Sequence, residues 1–338
     1  MSELFAGMAK ETAVLDRGRG QAALTRAKAW LRDLWFRPAS PAPLGALRMG
    51  LAAVLLVQAC LLSHSLLELY GSSGLVQDEM RRFMLTPLLP VYFDLAALGA
   101  SLGVPADSLL RLVFLLYVAS LSLMLVGFHS RQAVILVWLT HFLIVFNVGY
   151  SSSYGVDTFA NIFLFYLMFM PMDRAYALDR RLGRVSEDAG EWQRFSLRVL
   201  QLHLFLIYFS TGVDKAMGTQ WWNGEAIWRA WMLPQFVVFD MSWLAWHPWL
   251  ARSVTWLTLF FETGYPLLLA WPRTRRLGAA AIVAMHLGIA FTMHLWSFSL
   301  TMACLTFCVF LIPAEQSTAV TAPRPMTIAP PVPYQIFN

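Results

Sequence analysis

Residues 210–228 read STGVDKAMGTQWWNGEAIW and follow the apolar run LHLFLIYF. Asp214 and Lys215 stand side by side where that run ends, with Trp221 and Trp222 just beyond. A lysine at the end of an apolar helix can snorkel, lifting its ammonium into water while its methylenes stay in oil. Held away from water, the same side chain can lose its proton, and the neutral amine then serves as a general base. The residues leave both roles open. One and two turns back, Thr211 and Tyr208 share the face of Lys215, whereas His203, Ser210 and Asp214 form a separate stripe.

Other ionisable groups interrupt apolar runs, and their cost in lipid makes them candidates for function. Glu262 lies in the middle of LFFETGYPLLLAW, where Pro266 cannot donate to the Glu262 carbonyl. Two readings stand: a protonated Glu satisfied by a neighbouring helix, or a proton or substrate role. His286 and His294 follow on the next run. A metal pair would want about three or four residues between its ligands, so no metal site is expected. Helix-packing hydrogen bonds are the plainer role for both histidines, and His141 reads as core. The candidate catalytic set is Lys215, Glu262 and His286. The candidate substrate-binding set is Trp221, Trp222, His203, Asp214, Tyr150, Asp157 and His294.

The elements that must hold these groups are membrane helices. The chain is 58% hydrophobic and 13% charged, about half the roughly 25% charge of a soluble domain. Basic and aromatic residues do not interleave on a polar surface, which excludes nucleic acid as a partner. Cys60, Cys304 and Cys308 all fall in apolar runs without a CxxC pair, and read as buried, inert thiols. The basic segment 1–43 has no apolar core, so the first span is expected to act as an uncleaved insertion signal.

A hydrocarbon core of about 30 Å needs roughly 20 apolar residues per helix. The runs predict an all-α bundle of eight spans: 45–66, 108–128, 132–149, 155–171, 195–213, 250–271, 277–294 and 296–312. Basic residues cluster before the first span and in the loops after the second, fourth and sixth. The opposite side holds Arg81, Arg82, Lys215 and Arg229. The bias places both termini in the cytoplasm and Lys215 outside. Segments 75–105 and 216–249 read as amphipathic pieces of the outer interface, the second a tryptophan-rich lid. The tail 314–338 reads as disordered.

YFSTGVDKAMGTQWWNG resembles the lysine segment of the horizontally transferred transmembrane (HTTM) family, over an expected domain of 44–313. That family includes the membrane core of vitamin K-dependent gamma-carboxylase and bacterial proteins of the sporulation-delaying-protein B type. Lys215 takes the place of the carboxylase's base. RAYALD, Arg174 to Asp179, matches an R-x-x-x-x-D motif, Glu262 in FETGYP stands where the carboxylase has an Asp, and His286 is similar to a family His. In place of a carboxylase His near Tyr154-Gly155, this chain has Tyr150.

The resemblance implies chemistry at the outer face of a bacterial plasma membrane, with a reduced quinone as cofactor and Lys215 deprotonating it. Without the carboxylase's large luminal domain, the chain looks more like the sporulation-delaying-protein B group. Those proteins act with a companion in maturing a secreted peptide. Three alternatives stand beside an enzyme of that class. They are a non-catalytic partner in peptide export or maturation, a true glutamate carboxylase, and a transporter relaying protons through Glu262 and the histidines.

Overall fold

The computed structural model describes residues 21–75, 95–144, 155–186 and 190–315. Tyr150, most of the first expected interfacial segment and the tail from 316 onward lie outside these residues. Among the described residues regular structure is helical, with one isolated bridge between Ala39 and Gly190. Lipid offers no partner to a free backbone amide or carbonyl, so apolar segments must satisfy their own as helices. The chain is an all-α membrane helix bundle.

After α1 (residues 21–36), α2 (Ala42–Ser63) starts behind Pro41 and Pro43, whose missing N–H groups cost nothing at a helix start. The short α3 (Leu66–Tyr70) and α4 (Leu95–Leu102) precede α5 (Ala106–Val126). Gly127, at φ 73°, ends α5 in the left-handed region and turns the chain into α6 (Ser130–His141). Next come α7 (Gly155–Phe169), α8 (Leu178–Arg181) and α9 (Glu191–Met217). A string of short pieces follows: α10 (Thr219–Trp222), α11 (Ala226–Trp231) and two 3-10 turns. Three long helices close the bundle: α12 (Pro248–Ala270), α13 (Arg275–Met293) and α14 (Trp296–Thr306), the last running into a π turn over Phe307–Leu311.

Four of these helices, α2, α5, α9 and α13, are long and apolar enough to cross a membrane, and three shorter apolar helices accompany them. The expected second segment of the lid, 216–249, does break into short interfacial-length pieces. Helix α9 is longer at both ends than the run 195–213 suggested. Lys215 therefore belongs to the last turn of α9 and not to a loop beyond it.

The bundle has two halves joined by one helix. Helices α2, α5, α6 and α7 pack in succession, as do α9, α12 and α13, and α14 packs on α13, α2 and α7. Small and hydroxylated residues let α14 sit centrally: Ser299, Thr301 and Thr306 are fully buried. Gly50 on α2 leaves room for the Cys304 side chain, which a Cβ there would strike. The thiols of Cys304 and Cys308 stand 3.9 Å apart without a disulfide. Cys60, expected to be buried, is on the outside of α2 instead, because that face of the helix has no protein neighbour.

Arg48, unremarked by the sequence reading, is the largest fully buried side chain. Its guanidinium donates to the carbonyls of Met124 and Leu125 in the last turn of α5, and to those of Met172 and Tyr176 after α7. Helix ends leave carbonyls without partners, and a guanidinium is the one side chain with five donors to offer. Asp179 completes the clamp from the other side. Its carboxylate accepts from the amides of His129 and Ser130, capping the N-terminus of α6, and from the Ser130 hydroxyl. Its own amide donates to the Gly127 carbonyl. The RAYALD motif thus builds a loop that ties α5, α6 and α2 together.

Burial would raise the Asp179 carboxyl, but the His129 and Ser130 donors and Arg184 outweigh it and hold the group below its ordinary value of 3.8. A lowered folded value means stabilisation that is complete above 3.8 and drains away as pH falls through the folded value. Thermal unfolding of the purified protein in neutral detergent should therefore show Asp179→Asn losing stability near neutrality and converging on wild type in acid. Arg48→Leu should cost about 3 kcal/mol, because several buried carbonyls lose their donor. Arg48→Lys should rescue little, since an ammonium cannot span them.

Candidate functional site

The site begins with a close approach of two helices. On α9, Gly212 faces the backbone of Glu262 and Thr263 on α12, where a Cβ would come within 2.6 Å of the Thr263 nitrogen. This contact brings the last turn of α9 level with the middle of α12. Lys215 Nζ then donates to Glu262 Oε2 at 2.6 Å, and the Thr211 hydroxyl donates to the same oxygen at 3.3 Å. Glu262 is 7% exposed. The short distance is that of a charge-assisted bond. Lys215 also lies 5.6 Å from the centre of the Trp221 ring, in cation–π range.

One and two turns deeper, the face shared with Lys215 continues as the sequence spacing predicted. The Tyr208 hydroxyl is 2.7 Å from His286 Nε2 on α13. The Tyr208 ring stacks on Tyr265 at 4.0 Å and 8°, and the Tyr265 hydroxyl reaches Thr306 on α14 at 3.3 Å. His286 is 2% exposed, and its Nδ1 has no hydrogen-bond partner. A buried ring nitrogen left without a partner is uncommon and calls for an explanation.

Lys215, Thr211, Tyr208, Glu262 and His286 all line one cavity of about 590 Å³. Its other walls are apolar, with Ile207, Val254, Met285 and Ile289 among them. The lid covers its outer end and is pinned at two places. Thr255 on α12 donates to the Gly224 carbonyl and accepts from the Ile227 amide. The Trp231 indole donates to Thr292 on α13 at 3.1 Å.

The expected catalytic residues Lys215, Glu262 and His286 therefore share this cavity, and Trp221 with them. The other candidates stand elsewhere. Trp222 is exposed and donates to the Ala216 carbonyl, capping the end of α9. Asp214 is exposed, turned off the Lys215 face by the helical twist. His203 is 2.7 Å from the Tyr166 hydroxyl in the contact with α7. His294 is exposed in the left-handed turn that ends α13. Asp157 joins a separate buried polar cluster: Gln58 donates to it, and His141, paired with Tyr117, approaches its carbonyl. Sequence reading missed Tyr265, an aromatic residue among many, and counted Trp231 in the lid without assigning it to the cavity.

A family model, the HTTM domain, matches residues 36–314. The chain belongs to the HTTM family. No curated protein and no solved structure matches it. Within this HTTM chain the lysine segment and the glutamate of FETGYP are brought into direct contact, 47 residues apart in sequence.

Adding a methyl at the α9–α12 contact should separate the pair. Gly212→Ala is expected to cost about 1–3 kcal/mol of stability by overpacking. Quenching of tryptophan fluorescence by a lipid-soluble quencher should rise as the lid loosens. An unchanged unfolding midpoint would show that the two helices are not in the close contact described.

Proposed function

We propose that the chain is a bacterial plasma-membrane protein that acts on a secreted peptide at the extracytoplasmic face, with Lys215 as its base. The observation that carries this reading is the Lys215–Glu262 pair at one end of an apolar, lidded cavity. Water excluded from such a site cannot level the strengths of its acids and bases.

Glu262 stands where it can take the lysine's proton across 2.6 Å. The amine lone pair freed by that transfer then accepts a proton from an acidic O–H or C–H of the substrate. At the end the substrate has lost one proton, Glu262 holds the proton that began on Lys215, and Lys215 is an ammonium again. Tyr208 holds the His286 ring through Nε2, and Nδ1 is the ring nitrogen left without a partner.

The residues present suit the reduced quinone that the resemblance implies. Apolar walls would receive a ring, and Lys215 and His286 would hold its oxygens. When bound, such a group would supply reducing equivalents. The basic loops support the orientation, since they gather on the side away from Lys215.

The test is co-expression with candidate secreted peptide precursors, with mass spectrometry of the secreted products for altered processing or added carboxyl groups. Lys215→Ala should insert but lose stability by leaving Glu262 without its partner, and lower conversion by about 10²-fold or more. Lys215→Arg should fail as well, because arginine keeps its proton. Wild-type conversion by the arginine variant would overturn the base role. Exposed Trp222, Trp246 and Trp249 favour a second reading, a docking surface for a companion maturation protein. On that reading, losses follow the tryptophans and Lys215 variants stay active.

A further inference from the structure

Helix α9 begins about 36 Å from Lys215, at a rise of about 1.5 Å per residue, and a second cavity lies near that end. Arg194 and Arg198, one turn apart on α9, face Arg275 and Arg276 at the start of α13 across about 250 Å³. Val309 to Glu315, in the chain leaving α14, line another wall. Arg194, Arg198 and Arg275 are near enough to repel one another, and Glu315 is near enough to attract Arg194 and Arg198 and offset part of that repulsion. Arg194 is only 7% exposed.

These arginines are held, not trailing. Arg194 Nε donates to the Arg37 carbonyl, Arg198 Nε to the Leu34 carbonyl and Arg275 Nε to the Leu269 carbonyl. Arg198 also donates to Gln201, which in turn donates to the Val309 carbonyl, and Arg275 to the Ala270 carbonyl. The three Nε bonds, to Leu34, to Arg37 and to the end of α12, therefore fix the guanidinium planes. The one acid in the lining, Glu315, makes no ion pair within 4.0 Å with any of them among the described residues. Like charges clustered and desolvated this way are costly unless an anion sits between them.

We propose that this arginine cavity binds a phosphate group, supplied by the headgroup of an anionic phospholipid in the adjoining leaflet. Guanidinium forks match the tetrahedral oxygens of phosphate better than point charges do. Basic pockets between membrane helices at the cytoplasmic surface hold anionic headgroups. The cavity has room for a headgroup and its phosphate, with acyl chains left in the bilayer. A lipid bound there bridges α9, α13 and the chain after α14, and the first two of these also line the Lys215 cavity. The inference does not depend on what Lys215 does.

The full chain, purified in a neutral detergent and stripped of anionic lipid, would be titrated with phosphatidylglycerol or phosphatidylcholine in mixed micelles, or with glycerol phosphate in solution. Thermal unfolding gives the readout, with native mass spectrometry counting retained lipids. Phosphatidylglycerol should raise Tm by about 2 °C or more, an effect that shrinks in salt, and phosphatidylcholine should not. The Arg276 side chain makes no hydrogen bond or ion pair among the described residues, so Arg276→Gln should fold normally while cutting the shift by half or more. Glu315→Gln, which removes the competing carboxylate, should enlarge it. A response to glycerol phosphate alone would retain the phosphate site and assign it to a soluble ester. Equal responses to the two lipids with none to glycerol phosphate, or a full shift in Arg276→Gln, would overturn the proposal.

Discussion

A lysine and a glutamate at membrane depth are each prohibitive alone and tolerable only together. The 2.6 Å contact between Lys215 and Glu262 joins the last turn of α9 to the middle of α12, just before α9 ends at Gly218. Gly212 is the condition for it, since the pair can meet only if two helix backbones touch. Taking away one partner would leave the other as a charge in an apolar wall, a loss far greater than the worth of a surface ion pair. Site and fold are consequently the same interaction seen from two sides.

The opposite end of the bundle solves a related difficulty with an arginine. Arg48 closes the open carbonyls of α5 and of the loop after α7, and Asp179 closes the open amides of α6. Together they make the basic end rigid, which lets α14 join the two halves without a tight interhelical pattern of its own. The buried hydroxyls of Ser299 and Thr301 lack partners, so α14 owes its place to fit more than to hydrogen bonds.

The sequence made several of these features legible. Apolar runs and proline punctuation marked the helices, since those signals act locally. The i−4 and i−7 spacing put Thr211 and Tyr208 under Lys215 because helical geometry is fixed by the backbone. Glu262 stood out through its cost in lipid. Contacts between distant segments were hidden. Nothing local says that Glu262 meets Lys215, that Asp157 belongs to a different cluster, or that Trp222 caps a helix while Trp221 lines the cavity. Arg48 escaped notice because one arginine near the start of a span looks like an anchor, and its partners are carbonyls, which every residue has. Helical geometry also set His203 and Asp214 on a stripe apart from Lys215, and both do lie off its face.

Helix α12 continues from Glu262 to Pro248, about 20 Å further along its axis at 1.5 Å per residue, while α9 stops two residues past Lys215. The mismatch leaves a step in the bundle, and the short tryptophan-bearing helices fill it, latched at Thr255 and Thr292. These helices partly cover the amine, whose side chain is 27% exposed, and the cavity beside it is walled by side chains of the kind that border hydrocarbon. Traffic to it is filtered by solubility before any recognition begins, with greasy molecules favoured and free ions kept away.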